Sequence, residues 1–97
     1  MNLGQHVRQL REQKGLLLRE VAAHLEIDTA MISKIERGEK SCKREHIERL
    51  ATILDGSESK LISIWLADKI LEIVRGEEDA LSALKIVQKE LLSHGTK

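Results

Sequence analysis

The sequence predicts an all-α fold, on three observations. No proline occurs anywhere in its 97 residues. Apolar residues recur at steps of three and four, and β-branched residues nowhere alternate cleanly with polar ones as a half-buried strand requires. Helix caps and stops also fall at helix-length intervals, with Asn2, Asp28 and Ser57 ahead of apolar runs and Gly15, Gly38 and Gly76 behind them.

The elements follow in order. Leu3, Val7 and Leu10 form one stripe of a first helix that starts after Asn2 and stops at Gly15. Val21, Ala22 and Leu25 define a second, very short helix. In a third, Asp28 caps the start by accepting from backbone N–H groups one turn on, Ile32 and Ile35 face inward, and Gly38 supplies the C-terminal turn. A fourth helix is expected from about Lys43 to Leu54, through Ile47, Leu50 and Ala51, and is ended by Asp55 and Gly56. Ser57 or Ser59 caps a fifth, which carries Leu61, Ile64, Trp65, Ile70, Ile73 and Val74 to Gly76. The last is expected over about Glu77 to Ser93, with Ala80, Leu84, Val87 and Leu91 on one face and three acidic residues at its positive end.

A chain of this length with 41% apolar residues supports one compact domain, or a small domain with an appendage. Sixteen basic and sixteen acidic residues leave no net charge, so any attraction to a polyanion must come from local placement. Residues 1–50 hold 10 Lys/Arg against 8 Asp/Glu, and residues 51–97 hold 6 against 8. Within the first half, Arg37, Lys40, Lys43 and Arg44 are concentrated just after the third helix. The single cysteine, Cys42, excludes an intrachain disulfide and is read as a small buried or capping residue in a reducing compartment. The opening stretch "MNLGQHVRQLREQKG" lacks the apolar core of a signal peptide, and no later run is long enough to cross a bilayer. A soluble, cytoplasmic protein without membrane association is expected.

From Leu16 to Gly38 the order is a short helix, the tight turn "LEID" and a second short helix. Small Ala22 lies where the two helices must cross closely, and Val21, Leu25, Ile27, Ile32 and Ile35 occupy the positions that pack the pair. This arrangement resembles a DNA-binding helix-turn-helix. More specifically, "REVAAHLEIDTAMISKIERG" is similar to the motif of the phage repressor and Cro superfamily, in its bacterial branch of small regulators of the xenobiotic-response type. The resemblance covers roughly Leu3 to Leu66. It implies a five-helix DNA-binding domain over residues 1–66, with residues 67–97 left as a C-terminal helical extension for dimerisation or packing.

The resemblance also implies that the third helix enters the major groove of duplex DNA. Carried over by position, the base readers are Thr29, Ala30, Ser33 and Lys34. Their chemistry suits the role, since lysine donates to guanine O6 or N7, the hydroxyls donate or accept, and alanine touches a thymine methyl. Met31 has two readings, a thymine-methyl contact or a partly buried packing residue. Phosphate contacts, which set register without reading sequence, are expected from Arg19, Arg37, Lys40, Lys43 and Arg44, with the amide-rich starts of the second and fourth helices. Arg11 and Glu36 match positions that form a partly buried ion pair in several relatives.

Two departures stand out. Leu17 and Leu18 occupy the start of the second helix, where the family commonly has a Ser or Thr cap followed by Gln, and Arg19 is the substitute contact. In the turn, Glu26 stands where glycine is usual, at a cost of about 1–2 kcal/mol if its backbone is left-handed.

The apolar stripe of the last helix either packs back on the domain or meets its copy in a homodimer, the arrangement expected of a protein that reads an inverted repeat. A protein-binding role is the rival reading, for example an antitoxin whose C-terminal helices hold a partner encoded by a neighbouring gene. An enzyme is not expected, because His6, His24, His46 and His94 are scattered without metal-ligand spacing and no phosphate loop or nucleophile motif is present. No cofactor or metal is expected. Trp65, the only aromatic residue, is assigned to core packing, and one aromatic cannot make a stacking platform for single strands.

Overall fold

A computed structural model of the protein describes residues 2–93. Among them are six helices, α1 (Leu3–Gln13), α2 (Leu18–Leu25), α3 (Thr29–Glu36), α4 (Arg44–Leu54), α5 (Glu58–Val74) and α6 (Ala80–Ser93). No strand occurs among the described residues.

Local chemistry sets most of the boundaries. The Asn2 side chain accepts from Gln5 N at 2.9 Å while the Gln5 side chain accepts from Asn2 N at 3.1 Å, a reciprocal cap for α1. Asp28 accepts from Met31 N at 2.7 Å, and Ser57 accepts from Lys60 N at 3.1 Å, so α3 and α5 each begin on a side-chain oxygen. Leu17 has no such oxygen. The start of α2 is steadied instead from within the helix, where the Glu20 carboxylate accepts from Leu17 N at 2.7 Å. Gly38 closes α3 with φ 78°, a left-handed conformation that costs glycine nothing.

The last helix starts at Ala80, the first residue of its apolar stripe, three residues later than the expected Glu77. Glu77 N donates to Val74 O, and the first helical bond runs from Ala83 N to Asp79 O. Glu77 and Glu78 therefore form a turn after Gly76, and Asp79 takes the cap position, where its negative charge still faces the positive end of α6.

The core draws on the first five helices. Leu3 and Val7 of α1, Val21, Ala22 and Leu25 of α2, Ile32 and Ile35 of α3, Ile47, Leu50, Ala51 and Leu54 of α4, and Leu61 of α5 are all buried, with Cys42 from the α3–α4 loop. Burial pushes the Cys42 thiol up to about 11, so it stays protonated at neutral pH. Trp65 packs against this core, and its indole Nε1 donates to Cys42 O at 2.8 Å. Beyond Trp65 no described residue is fully buried. Leu61 is the only buried residue of α5, and α6 has none. Packing of α6 onto the domain is thus not found. The radius of gyration, 15.3 Å, exceeds the roughly 12–13 Å of a compact chain of this length, because α5 continues past the core and carries α6 with it.

Candidate nucleic-acid interface

The amphipathic spacing of α3 divides it sharply. Ile32, Ile35 and Glu36 are buried, Met31 and Ser33 are half-buried, and Thr29, Ala30 and Lys34 are exposed. Steps of one and four residues place 29, 30, 33 and 34 on one outward face. That face offers two hydroxyls, a methyl and an ammonium, with no bulky group to hold it off a flat partner.

Arg37, the C-terminal cap of α3, continues this face by a further step of four. Its side chain folds back along the helix, so that Nη1 donates to Ser33 Oγ at 2.6 Å, while Nε and Nη2 donate to Glu39 Oε2 and Oε1 at 2.8 and 3.3 Å. Hydrogen bonding to Arg37 holds the Glu39 carboxyl below the usual carboxylate range, and the same bond raises the guanidinium. Glu39 also feels the positive charge of Lys34. Neither the Glu39 contact nor the contact with Ser33 is evident from sequence spacing, because both depend on how Arg37 turns at the end of α3.

Next along the chain, Lys40, Lys43 and Arg44 are exposed on the loop and at the start of α4. Lys43 caps that helix, with His46 Nδ1 accepting from its backbone N at 3.3 Å. The Arg44 guanidinium lies 5.3 Å from the centre of the Trp65 ring, and the Lys69 ammonium lies 4.6 Å from it. Trp65 therefore orients a loop-side cation as well as packing on the core. Arg19 is exposed in the first turn of α2, beside Leu17, whose side chain is 47% exposed.

Two ties hold α3 at a defined angle. Arg11 reaches from α1 to the end of α3, with Nε and Nη2 donating to Glu36 Oε2 and Oε1 at 2.7 and 3.1 Å, and Nη1 donating to Leu16 O at 2.8 Å. Only 13% of the Arg11 side chain and 6% of the Glu36 side chain are exposed, so solvent does not screen the pair. Its hydrogen bond to Glu36 raises the Arg11 guanidinium above its ordinary value. The second tie is Gly4, where a Cβ would collide with the backbone carbonyls of Ile35 and Glu36. Glycine lets α1 cross α3 backbone to backbone. Nothing in the local sequence of α1 signals this, because the neighbour lies thirty residues away.

Asp68 is a further residue that sequence reasoning missed. From α5 its carboxylate accepts from Leu3 N at 2.8 Å, joining the middle of the long helix to the first turn of α1. In the α2–α3 turn, Glu26 is left-handed, with φ 60° and ψ 40°. The histidines are not gathered: among the described residues no three His, Cys, Asp or Glu side chains lie close enough to hold a metal ion, and His94 lies outside those residues. Also among them, no helix is long and apolar enough to cross a membrane.

A family model described as a helix-turn-helix domain matches residues 2–61. No curated protein matches the chain. Among solved structures, a chain from a SinR protein/SinI protein complex is similar, with a TM-score of 0.56 and 24% identity over 94% of this chain and 98% of the other. At that identity the likeness concerns the fold, and its coverage carries the shared architecture past residue 61 through α5 and into α6.

Proposed function

This chain belongs to the helix-turn-helix domain family, and we propose that within it the protein is a sequence-specific regulator that reads double-stranded DNA through the outward face of α3. The observation that carries this reading is the combination found on α3: a helix capped at both ends, anchored by buried Ile32, Ile35 and Glu36, and exposing only small or flexible polar groups. A helix so anchored presents Thr29, Ala30, Ser33 and Lys34 to a major groove without adjusting its own position. Arg19, Lys40, Lys43 and Arg44 flank it and neutralise phosphates, with Arg44 pre-oriented by Trp65.

Residues 1–66 form the reading unit in this proposal, and residues 67–97 form the assembly unit. The boundary is functional, since α5 runs through it without a break. The assembly is a homodimer on an inverted repeat. One eight-residue helix contacts too few base pairs to specify a site, and two copies supply the rest. A second reading, that α5 and α6 hold a different protein, is favoured by the same exposed surface and by the similar solved chain having been found in a complex. Either assembly serves a DNA-binding regulator, and neither requires an enzymatic step or a cofactor.

Selection of bound duplexes from a random pool, followed by salt titration, tests the proposal. A short inverted repeat should emerge, with affinity falling steeply as salt rises, because phosphate contacts release counterions. On the selected site Lys34→Ala should cost roughly 1–3 kcal/mol and relax preference at particular base pairs. Arg44→Ala should weaken all duplexes alike and flatten the salt slope by about one unit. A pool that yields no enriched sequence would overturn the reading.

A further inference from the structure

Resting on the DNA-reading role of α3, we infer that Arg37 is a fifth base reader, specific for guanine, and that Glu39 is the residue that positions it. The sequence alone places Arg37 with the phosphate contacts, among the cations that follow α3. Its side chain bridges from Glu39 to Ser33. It turns back toward the start of the helix, as side chains at helix ends tend to do, and lies over Ser33 on the outward face.

The donor count supports the assignment. A guanidinium carries five N–H groups. Nε and one N–H of Nη2 are taken by the two Glu39 oxygens, and one N–H of Nη1 is taken by Ser33 Oγ. Two remain, one on each terminal nitrogen. Paired donors on the terminal nitrogens are what guanine O6 and N7 accept in the major groove. The three contacts made within the chain also fix the plane of the group before DNA arrives, so little side-chain freedom is left to lose on binding.

Glu39 fits this role better than a place beside a phosphate. A carboxylate bonded to both Nε and Nη2 cancels most of the charge that would draw Arg37 to the backbone, and it would itself be repelled there. Next to a base edge, the same carboxylate acts as a buttress: it consumes the side-on donors and directs the remaining pair outward. Ser33 then has a different part from Thr29 and Lys34. Its oxygen accepts from Arg37, and its own proton is left for a base acceptor or water.

The test uses the full chain and competition between the selected duplex and duplexes altered one base pair at a time, for wild type, Arg37→Lys, Arg37→Ala and Glu39→Gln. Arg37 and Glu39 are about half exposed, and a thermal melt establishes that each variant folds. At one guanine in each half-site, Arg37→Ala should reduce wild-type discrimination by roughly tenfold or more, and Arg37→Lys, which keeps the charge but loses the paired donors, should not restore it. Glu39→Gln should reduce discrimination at that same position while affinity for unrelated DNA holds or rises. Equal changes on all duplexes for Arg37→Ala, with a salt slope about one unit shallower and tighter general binding for Glu39→Gln, would make Arg37 a phosphate contact and overturn the inference. Those outcomes leave intact the reading of α3, which fails separately if wild type itself discriminates among no duplexes.

Discussion

At the scale of single residues, the positions that local patterns specify are the ones where the side chain acts on its own backbone neighbourhood. Asp28 caps α3, as the sequence indicates because the effect spans only a few residues, whereas the left-handed backbone of Glu26 is suggested only by the glycine usual at that position in the family. The Glu26 conformation costs roughly 1–2 kcal/mol, of which a glycine would recover part while losing about 0.5–1 kcal/mol to its greater freedom when unfolded. Glu26→Gly should therefore raise stability by up to about 1 kcal/mol in a urea titration, since its contact with Arg49, 3.6 Å between exposed side chains, contributes little. Loss of stability instead would show that Glu26 makes a contact worth more than its strain. His6 supplies a pH-dependent test. Burial, and secondarily the Lys60 ammonium, hold its imidazole below the ordinary value of 6.5. The unfolded chain therefore takes up a proton before the folded one does, so stability is untouched above about pH 6.5 and declines as pH falls below it. Between pH 7.5 and 5, His6→Gln should lose less stability than wild type. Equal losses in the two proteins would mean the imidazole titrates freely.

At the scale of elements, four helices are legible from apolar periodicity and caps because each buries one stripe, α5 is legible from its cap and apolar spacing although only Leu61 of that spacing is buried, and the sixth is displaced because an acidic turn precedes it. What periodicity does not reveal is how helices cross. Ala22 can be identified as a close-packing position from its place in a familiar two-helix motif, but Gly4 belongs to a crossing between α1 and the end of α3, distant in sequence. Asp68 and Leu3 N, and Trp65 Nε1 and Cys42 O, are likewise contacts that only the fold brings together. Glu39 escaped notice for a related reason, since spacing does not say which way Arg37 turns. The α1–α3 crossing carries its own prediction. In Gly4→Ala the new methyl meets backbone carbonyls, which cannot rotate away, so α1 must lift off α3 and strain the Arg11–Glu36 pair. A loss of about 1–3 kcal/mol is expected in chemical denaturation, the usual cost of overpacking. DNA affinity should fall with it, because the same crossing sets the angle of the reading helix. A variant with unchanged stability would mean that α1 and α3 separate freely at this crossing.

At the scale of the whole molecule, the cations around α3 and most of the exposed large apolar residues fall in different halves of the sequence. The cations that flank α3 are Arg19, Lys40, Lys43 and Arg44, all exposed. Nine of the ten large hydrophobic residues exposed among the described residues lie in the second half of α5 and in α6. Ile73, Leu81 and Leu92 are each about three-quarters exposed, and Ile86 is two-thirds exposed. Scattered exposed leucines are ordinary, but a run of them over the second half of α5 and all of α6 is the kind of surface that marks an interaction site. The apolar pattern of α6 was legible in the sequence, whereas its partner was not, because a stripe looks the same whether it meets its own domain or another chain. In the proposed homodimer, a second copy covers both faces at once and brings two α3 helices into one assembly, whose half-sites should then lie about 10 base pairs apart or at a multiple of that spacing. Light scattering at micromolar concentration should give twice the monomer mass for wild type. The double variant Ile73→Glu, Leu81→Glu should give the monomer mass, with the helical content of α1 to α4 intact because neither residue touches the core. That variant should also bind the selected inverted repeat far more weakly than wild type, yet bind one half-site equally well. A wild type that is monomeric, both free and on its operator, would leave the apolar face to a different protein and remove the dimer from the mechanism.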